Sequence, residues 1–284
     1  MQLPFNIDLK GKTAVVTGGG GVLCSMFAKV LAGCGANVAV LDLRKEAAQS
    51  VADEINAAGG NAKGYAANVL SIEEMKSVHK QISEDFGPCD LLLNGAGGNN
   101  PKGTTDKEYL FPEDIEAVNE IKTFFDLDPE GVSFVFNLNF LGTLIPTQVF
   151  ARDMAKRKKG NIINISSMNA FCPLTKIPAY SGAKAAVSNF TQWLAVHFSK
   201  VGIRVNAIAP GFFVTNQNRA MLFDTDGSPT ERTKKILAAT PTERFGQPQE
   251  LAGTLLYLAS DDASGFVNGV VIPVDGGFNA YSGV

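Results

Sequence analysis

Short apolar runs recur along the chain at residues 14–17, 37–41, 62–66, 91–94, 161–165, 204–208 and 270–274. They are continuous and rich in β-branched residues instead of alternating apolar with polar, the pattern of strands covered on both faces. Between them lie stretches that read as helices, at 22–34, 45–58, 72–86, 130–156, 179–200 and 249–259. This alternation predicts right-handed βαβ crossovers and a doubly wound α/β fold, a parallel sheet with helices on both faces. The rhythm runs through residues 1–284 as one domain, with no internal repeat and no low-complexity segment.

Two segments break the rhythm. Residues 97–128 and 211–246 are long, and each follows a strand. In open α/β sheets ligands bind beyond the carboxyl ends of the strands, where long connections are more often functional than idle. The first is read as an insertion (about 98–128) beside the site. The second, polar and interrupted by Gly227-Ser228-Pro229, is read as a mobile lid over substrate (about 211–246).

Composition narrows the setting. Apolar residues at 45% and charged residues at 19% are those of a soluble globular protein. A net charge of −3 gives no reason to expect nucleic acid or an anionic membrane as partner. No uninterrupted apolar run approaches the roughly 20 residues of a membrane span. The first residues carry no basic stretch leading into an apolar one, so no secretory signal is expected. Cys24, Cys34, Cys89 and Cys172 are scattered, without a C-x-x-C pair, and are expected as reduced thiols of a cytoplasmic protein. His79 and His197, the two histidines, stand far apart, so no protein-built metal site is expected.

The stretch TGGGGVLC (17–24) closes the first strand and opens a helix. Glycines in that context let backbone N–H groups and a helix N-terminus meet a pyrophosphate. Read from Gly19, it spells Gly19-x-Gly21-x-x-Cys24, the dinucleotide spacing with a small residue at the third position. Gly19 to Gly21 are expected to give a flexible backbone, with Val22 and Leu23 lining the turn. Asp42, which follows the next apolar run, is placed to bond the adenosine ribose hydroxyls and to repel a 2′-phosphate, favouring NAD over NADP. Arg44 is the counter-indication, since it could reach such a phosphate. An N-cap role for Asp42 is equally compatible with its position.

Further on, YSGAK places Tyr180 and Lys184 four residues apart, on one face of a helix. A free tyrosine is a poor acid–base catalyst at neutral pH, and a nearby ammonium stabilises its phenolate. Ser166 and Ser167 end the strand before it. Together with Asn94-Gly95-Ala96-Gly97, Asn139 in NLNFLGT, VNAIAPGFFVT (205–215) and VDGG (274–277), these residues resemble the motifs of the short-chain dehydrogenase/reductase family. The likeness spans about residues 9–278, with the motifs in the family's order.

That resemblance implies a Rossmann-type fold, a nicotinamide coenzyme and interconversion of a secondary alcohol and a ketone. It implies Tyr180 as acid/base and Lys184 as its modulator and a ribose ligand. Ser167 would orient the substrate carbonyl, and Asn139 would hold a relay water. The coenzyme contacts it implies are Gly18, Gly20, Gly21, Val22, Leu23, Asp42, Arg44, Asn68, Val69, Asn94, Gly95, Ala96 and Gly97. Pro210, Gly211, Phe213 and Thr215 would meet the nicotinamide end. Pairing of long helices between subunits, as in the family, implies a homodimer or homotetramer.

Three features depart from the family: Val22 and Cys24 replace loop glycines, Asn68-Val69 replaces an Asp-Val pair, and the Asn94-to-Asn139 interval is longer. The loop and the insertion resemble those of the family's D-mannonate oxidoreductases, which implies a sugar acid as substrate. Asn99, Asn100, Lys102, Asn169, Asn216, Gln217 and Arg219 flank the expected site, with Lys102 and Arg219 as candidate carboxylate partners. Dehydrogenation of another polyol, ketose or diketone is the alternative; a non-catalytic NAD sensor is disfavoured by the presence of Ser167, Tyr180 and Lys184 together.

Overall fold

The computed structural model describes residues 7–116, 120–214 and 222–283. Seven strands form one parallel sheet: β1 (Thr13–Thr17), β2 (Asn37–Asp42), β3 (Asn61–Ala66), β4 (Leu91–Asn94), β5 (Gly160–Ile165), β6 (Ile203–Pro210) and β7 (Val271–Val274). Their order is β3-β2-β1-β4-β5-β6-β7. The winding reverses between β1 and β4, so a crevice opens at their carboxyl ends, where Thr17 pairs with Asn94.

Successive strand residues point to opposite faces, which divides the apolar runs between two cores. Val16, Val40, Leu93 and Ile163 pack with α1 (Val22–Gly33) and α2 (Lys45–Ala57). Val15, Leu92, Ile162 and Val205 pack on the other face, with α3 (Ile72–Phe86) and later helices. Fully buried Phe27 and Leu31 fill the first core, and Phe150 and Met154 the second. Each such side chain contributes about 1.5–3 kcal/mol.

The expected helix 130–156 is interrupted. After a short α4 (Pro112–Glu116) in the insertion, α5 (Pro129–Phe136) runs into a π turn (Asn137–Leu141), and α6 (Gly142–Arg157) continues from it. The Asn139 side chain causes the break locally, donating its Nδ2–H to the Val135 carbonyl (2.8 Å) and so competing with the backbone amide for that acceptor. The run Pro129–Arg157 has the length and composition of a membrane span, unlike any uninterrupted apolar run in the sequence, yet Val135, Phe150 and Met154 are buried within the fold.

α7 (Pro178–His197) starts on Pro178 and ends before the expected 200, where Ser199–Val201 tightens into a 3₁₀ turn. The expected 249–259 helix likewise begins as a 3₁₀ turn, Pro248–Leu251, ahead of a regular helix Ala252–Ala259.

Both long segments sit at the carboxyl edge. The insertion carries the 3₁₀ turns Pro101–Gly103 and Phe124–Asp126, with Thr123 capping the second. The later segment contains α8 (Glu231–Ala238), which packs Ile236 against Leu222 and Phe245. The two segments meet: Lys235 Nζ lies 2.9 Å from Glu108 Oε1.

Candidate active site

Tyr180 sits in the first turn of α7 and Lys184 one turn on, sharing its face. Lys184 is buried, at 4% exposure, and donates to the Ile165 carbonyl at the end of β5 (2.8 Å). Among the described residues no carboxylate forms an ion pair with it. Burial therefore pulls its pKa down to about 8. Its ammonium stands 5.7 Å from the centre of the Tyr180 ring. Burial pushes the Tyr180 phenol up, and a hydrogen bond with Ser167 opposes this. Burial, not the lowering expected from Lys184, sets the direction of the Tyr180 shift here.

The pleat separates the two serines. Ser166 turns into the α7 packing, donating to the Lys184 carbonyl (3.2 Å) and lying 2.6 Å from Ser188 Oγ. Ser167 faces the cleft and caps the turn Met168–Ala170, its Oγ accepting the Asn169 N–H (3.2 Å). Asn139 is fully buried; its Nδ2 also donates to the Gly98 carbonyl (2.7 Å), and its Oδ1 accepts the Gly98 N–H (3.3 Å). These bonds fix the strand-end turn against the π turn. A Cβ on Gly97 would fall 2.6 Å from Asn139 Oδ1 and 3.2 Å from Lys184 Nζ, so only glycine lets the three approach.

An open groove beside this cluster is lined by Gly18, Gly21, Val22, Leu23, Cys24, Asp42, Arg44, Gly95, Ala96, Gly97, Gly211 and Phe213. Phe212, within the 210–215 stretch expected at the nicotinamide end, joins them. The glycines act by close approach more than by flexibility. Gly18 alone in the loop has left-handed backbone (φ 65°), and a Cβ there would press on Ala96. Gly19 packs on Val40, and Gly20 packs on Ala47 and donates its N–H to Asp42 Oδ2 (3.1 Å). Asp42 Oδ1 accepts the Arg44 N–H (3.1 Å), at the start of α2. Cys24 Sγ occupies the space that a Cβ on Gly95 would need, and burial pushes its thiol up to about 12, so it packs as a neutral small side chain.

Other expected residues have different neighbours. The Asn94 side chain points into the interior, donating to Thr147 Oγ1 (3.0 Å) and Asn164 Oδ1 (2.9 Å), because the pleat turns it away from the groove. Asn68 Oδ1 accepts the Leu70 N–H (3.0 Å), Val69 is buried against Gly142, and Pro210 is buried at the end of β6. Asn99 donates to Thr104 and Asn100 caps Pro101–Gly103. Lys102 is paired with Asp128 (3.1 Å), which occupies the cation expected to meet substrate. Asn169 is buried with its Oδ1 unpartnered. Thr215, Asn216, Gln217 and Arg219 lie outside the described residues. Thr17 is legible in the sequence only as part of a motif; its hydroxyl accepts the N–H groups of Gly95 (3.1 Å) and Ala96 (3.3 Å) and so shapes the crevice.

The geometry is that of an alcohol–ketone oxidoreductase, and the family model described as short chain dehydrogenase matches residues 12–225. The protein belongs to that family and is an oxidoreductase acting on CH–OH groups. It is 63% identical over 284 residues to an "Uncharacterized oxidoreductase" of Haemophilus influenzae, covering 100% of this chain and 99% of the relative. A crystal structure from Haemophilus influenza with bound NAD, provisionally assigned as a D-mannonate oxidoreductase, superposes with a TM-score of 0.93 at 64% identity, over 98% of this chain and 99% of that one. A gluconate 5-dehydrogenase of Burkholderia cenocepacia, in complex with NADP and tartrate, superposes with a TM-score of 0.81 at 29% identity, covering 97% and 98%.

The packing around Cys24 and the charge on Lys184 are both open to test. Cys24→Leu forces extra volume against Gly95, so chemical denaturation should show a loss of about 1–3 kcal/mol together with weaker NAD binding by fluorescence titration. A variant of unchanged stability and affinity would refute this packing account. For Lys184, the pKa lies at about 8 folded against 10.5 free, so between these values the unfolded chain holds more protons. The contribution of Lys184 to stability therefore rises with pH across that window, and its burial penalty is complete below it. Lys184→Met should remove that slope, changing the stability difference from wild type by up to about 3 kcal/mol between pH 8 and 10.5. Parallel pH profiles in urea denaturation would contradict it.

Proposed function

We propose that the enzyme interconverts a sugar acid and its keto form with NAD as coenzyme. The observation carrying the catalytic reading is the meeting of Tyr180, Ser167 and the buried Lys184 beside a glycine-lined groove. The groove suits a dinucleotide, since Gly18, Gly21, Gly95, Ala96 and Gly97 line it with backbone and a single methyl group, which lets a ligand approach the main chain closely. Asp42 would bond the ribose hydroxyls; each of its oxygens accepts one backbone N–H, and an ionised carboxylate has further acceptor capacity. Its charge disfavours a 2′-phosphate. When bound, a nicotinamide dinucleotide supplies the acceptor or donor of hydride.

The protein's own part is proton and orientation chemistry. In oxidation, Tyr180 as phenolate takes the hydroxyl proton of the substrate while Ser167 Oγ holds the same oxygen; in reduction the phenol returns it. Lys184 supplies uncompensated positive charge that favours the phenolate as the proton leaves. Asn139 acts as a positioning residue through Gly98. The lid and insertion close over the substrate end. The sugar-acid reading draws on the D-mannonate and gluconate enzymes to which the protein is similar.

We also propose self-association through α5 and α7, where Phe134, Trp193 and Val196 are exposed apolar side chains.

A spectrophotometric screen of sugar acids, polyols and diketones tests the reading. Turnover should favour a sugar acid with NAD, Tyr180→Phe should lose turnover while keeping NAD affinity, and Asp42→Ala should narrow the NAD/NADP preference by about tenfold. Unimpaired turnover in Tyr180→Phe, or a preference for NADP in the wild type, would overturn the corresponding assignment. Sedimentation at micromolar concentration should show a dimer or tetramer; a monomer would refute the association.

A further inference from the structure

A sugar acid requires a cation for its carboxylate, and most of the charged groups around the cleft are already committed. Lys102 is paired with Asp128, Lys107 with Asp114, Lys234 with Glu231, Lys235 with Glu108 and Arg244 with Glu250. Lys122 donates to the Pro101 carbonyl (3.1 Å). Lys176 differs: among the described residues its ammonium makes no ion pair, and it is half-buried. Arg232, also without an ion pair among the described residues, is exposed on α8, where solvent screens its charge.

The placement of Lys176 is specific. It lies nine residues after Ser167 and four before Tyr180, on the loop joining the two catalytic elements. Its backbone is left-handed (φ 70°), a conformation that costs a lysine roughly 1–2 kcal/mol and that a glycine would adopt freely. Its carbonyl accepts the Thr105 N–H (2.9 Å), so the insertion is docked on this residue. Glu108 of the insertion is held acidic chiefly by Lys235, with Lys176 adding a smaller contribution, which puts its positive charge at the junction of insertion, lid and catalytic loop. A strained residue that keeps a side chain where glycine would relieve the backbone is a candidate for a functional role.

We propose that Lys176 is the specificity residue that receives the substrate carboxylate. This rests on the sugar-acid reading above. It places the carboxylate on the insertion side of the cleft and gives neutral polyols and diketones no equivalent partner.

The test uses the full-length enzyme with NAD, comparing D-mannonate with mannitol, the same carbon skeleton without a carboxylate. In Lys176→Gly the backbone strain is relieved, so the fold should be retained or stabilised. The KM for D-mannonate should nevertheless rise roughly 10- to 150-fold, the range of a lost charge-assisted hydrogen bond. kcat, NAD affinity and the weak rate on mannitol should move less than about threefold, and Lys176→Arg should recover most of the KM. An unchanged KM for D-mannonate in Lys176→Gly overturns the assignment while leaving the sugar-acid reading intact. So does an equal loss on both substrates, which marks a structural role, and so does a loss that appears in Arg219→Ala instead. A wild-type enzyme that turns over neutral polyols and no sugar acid overturns the reading itself, and the Lys176 proposal with it.

Discussion

The buried ammonium of Lys184 sets the terms for its surroundings. An ion taken out of water without a counter-charge is costly, and here one carbonyl, that of Ile165, is its hydrogen-bond partner. The elements around it are arranged so that this cation can stay. Gly97 gives up its side chain so that β4's trailing turn can reach Lys184, and Asn139 clamps the neighbouring Gly98 by two hydrogen bonds. The same asparagine also holds the Val135 carbonyl, at the π turn Asn137–Leu141. Strand end, helix break and catalytic helix thus answer to one charge.

Much of this is legible in the sequence because it is local. Continuous β-branched runs mark strands covered on both sides, and the order of short motifs places the coenzyme loop and Tyr180. What escapes is what depends on geometry across elements. The apolar spacing of 130–156 persists through Asn137–Leu141, so nothing in it announces a break; the cause is a side-chain bond to a backbone carbonyl. Asn94 reads as a coenzyme residue by motif, yet the pleat sends it toward Asn164 and Thr147. Lys102 reads as a free cation until the chain returns with Asp128. The bunched glycines suggest flexibility, whereas three of the four serve as gaps for neighbouring atoms.

The two long segments illustrate a different economy. Each carries its own small set of anchors, and the bond between them, Lys235 to Glu108, joins partners far apart in sequence and partly open to water. Exposed pairs of this kind contribute about 0–1 kcal/mol. A connection that weak joins the two segments without locking them together.

Asp42 carries one more consequence, for how such an enzyme can change over evolutionary time. Its carboxylate faces the groove and also receives the Gly20 and Arg44 amides that shape the loop and the start of α2. With Asp42 proposed as the ribose ligand, coenzyme selection and loop architecture would rest on the same two oxygens. A lineage drifting toward the phosphorylated coenzyme cannot simply discard the acid; it must first find another acceptor for those amides. On that reading, a shift of coenzyme would proceed through compensating changes in the loop.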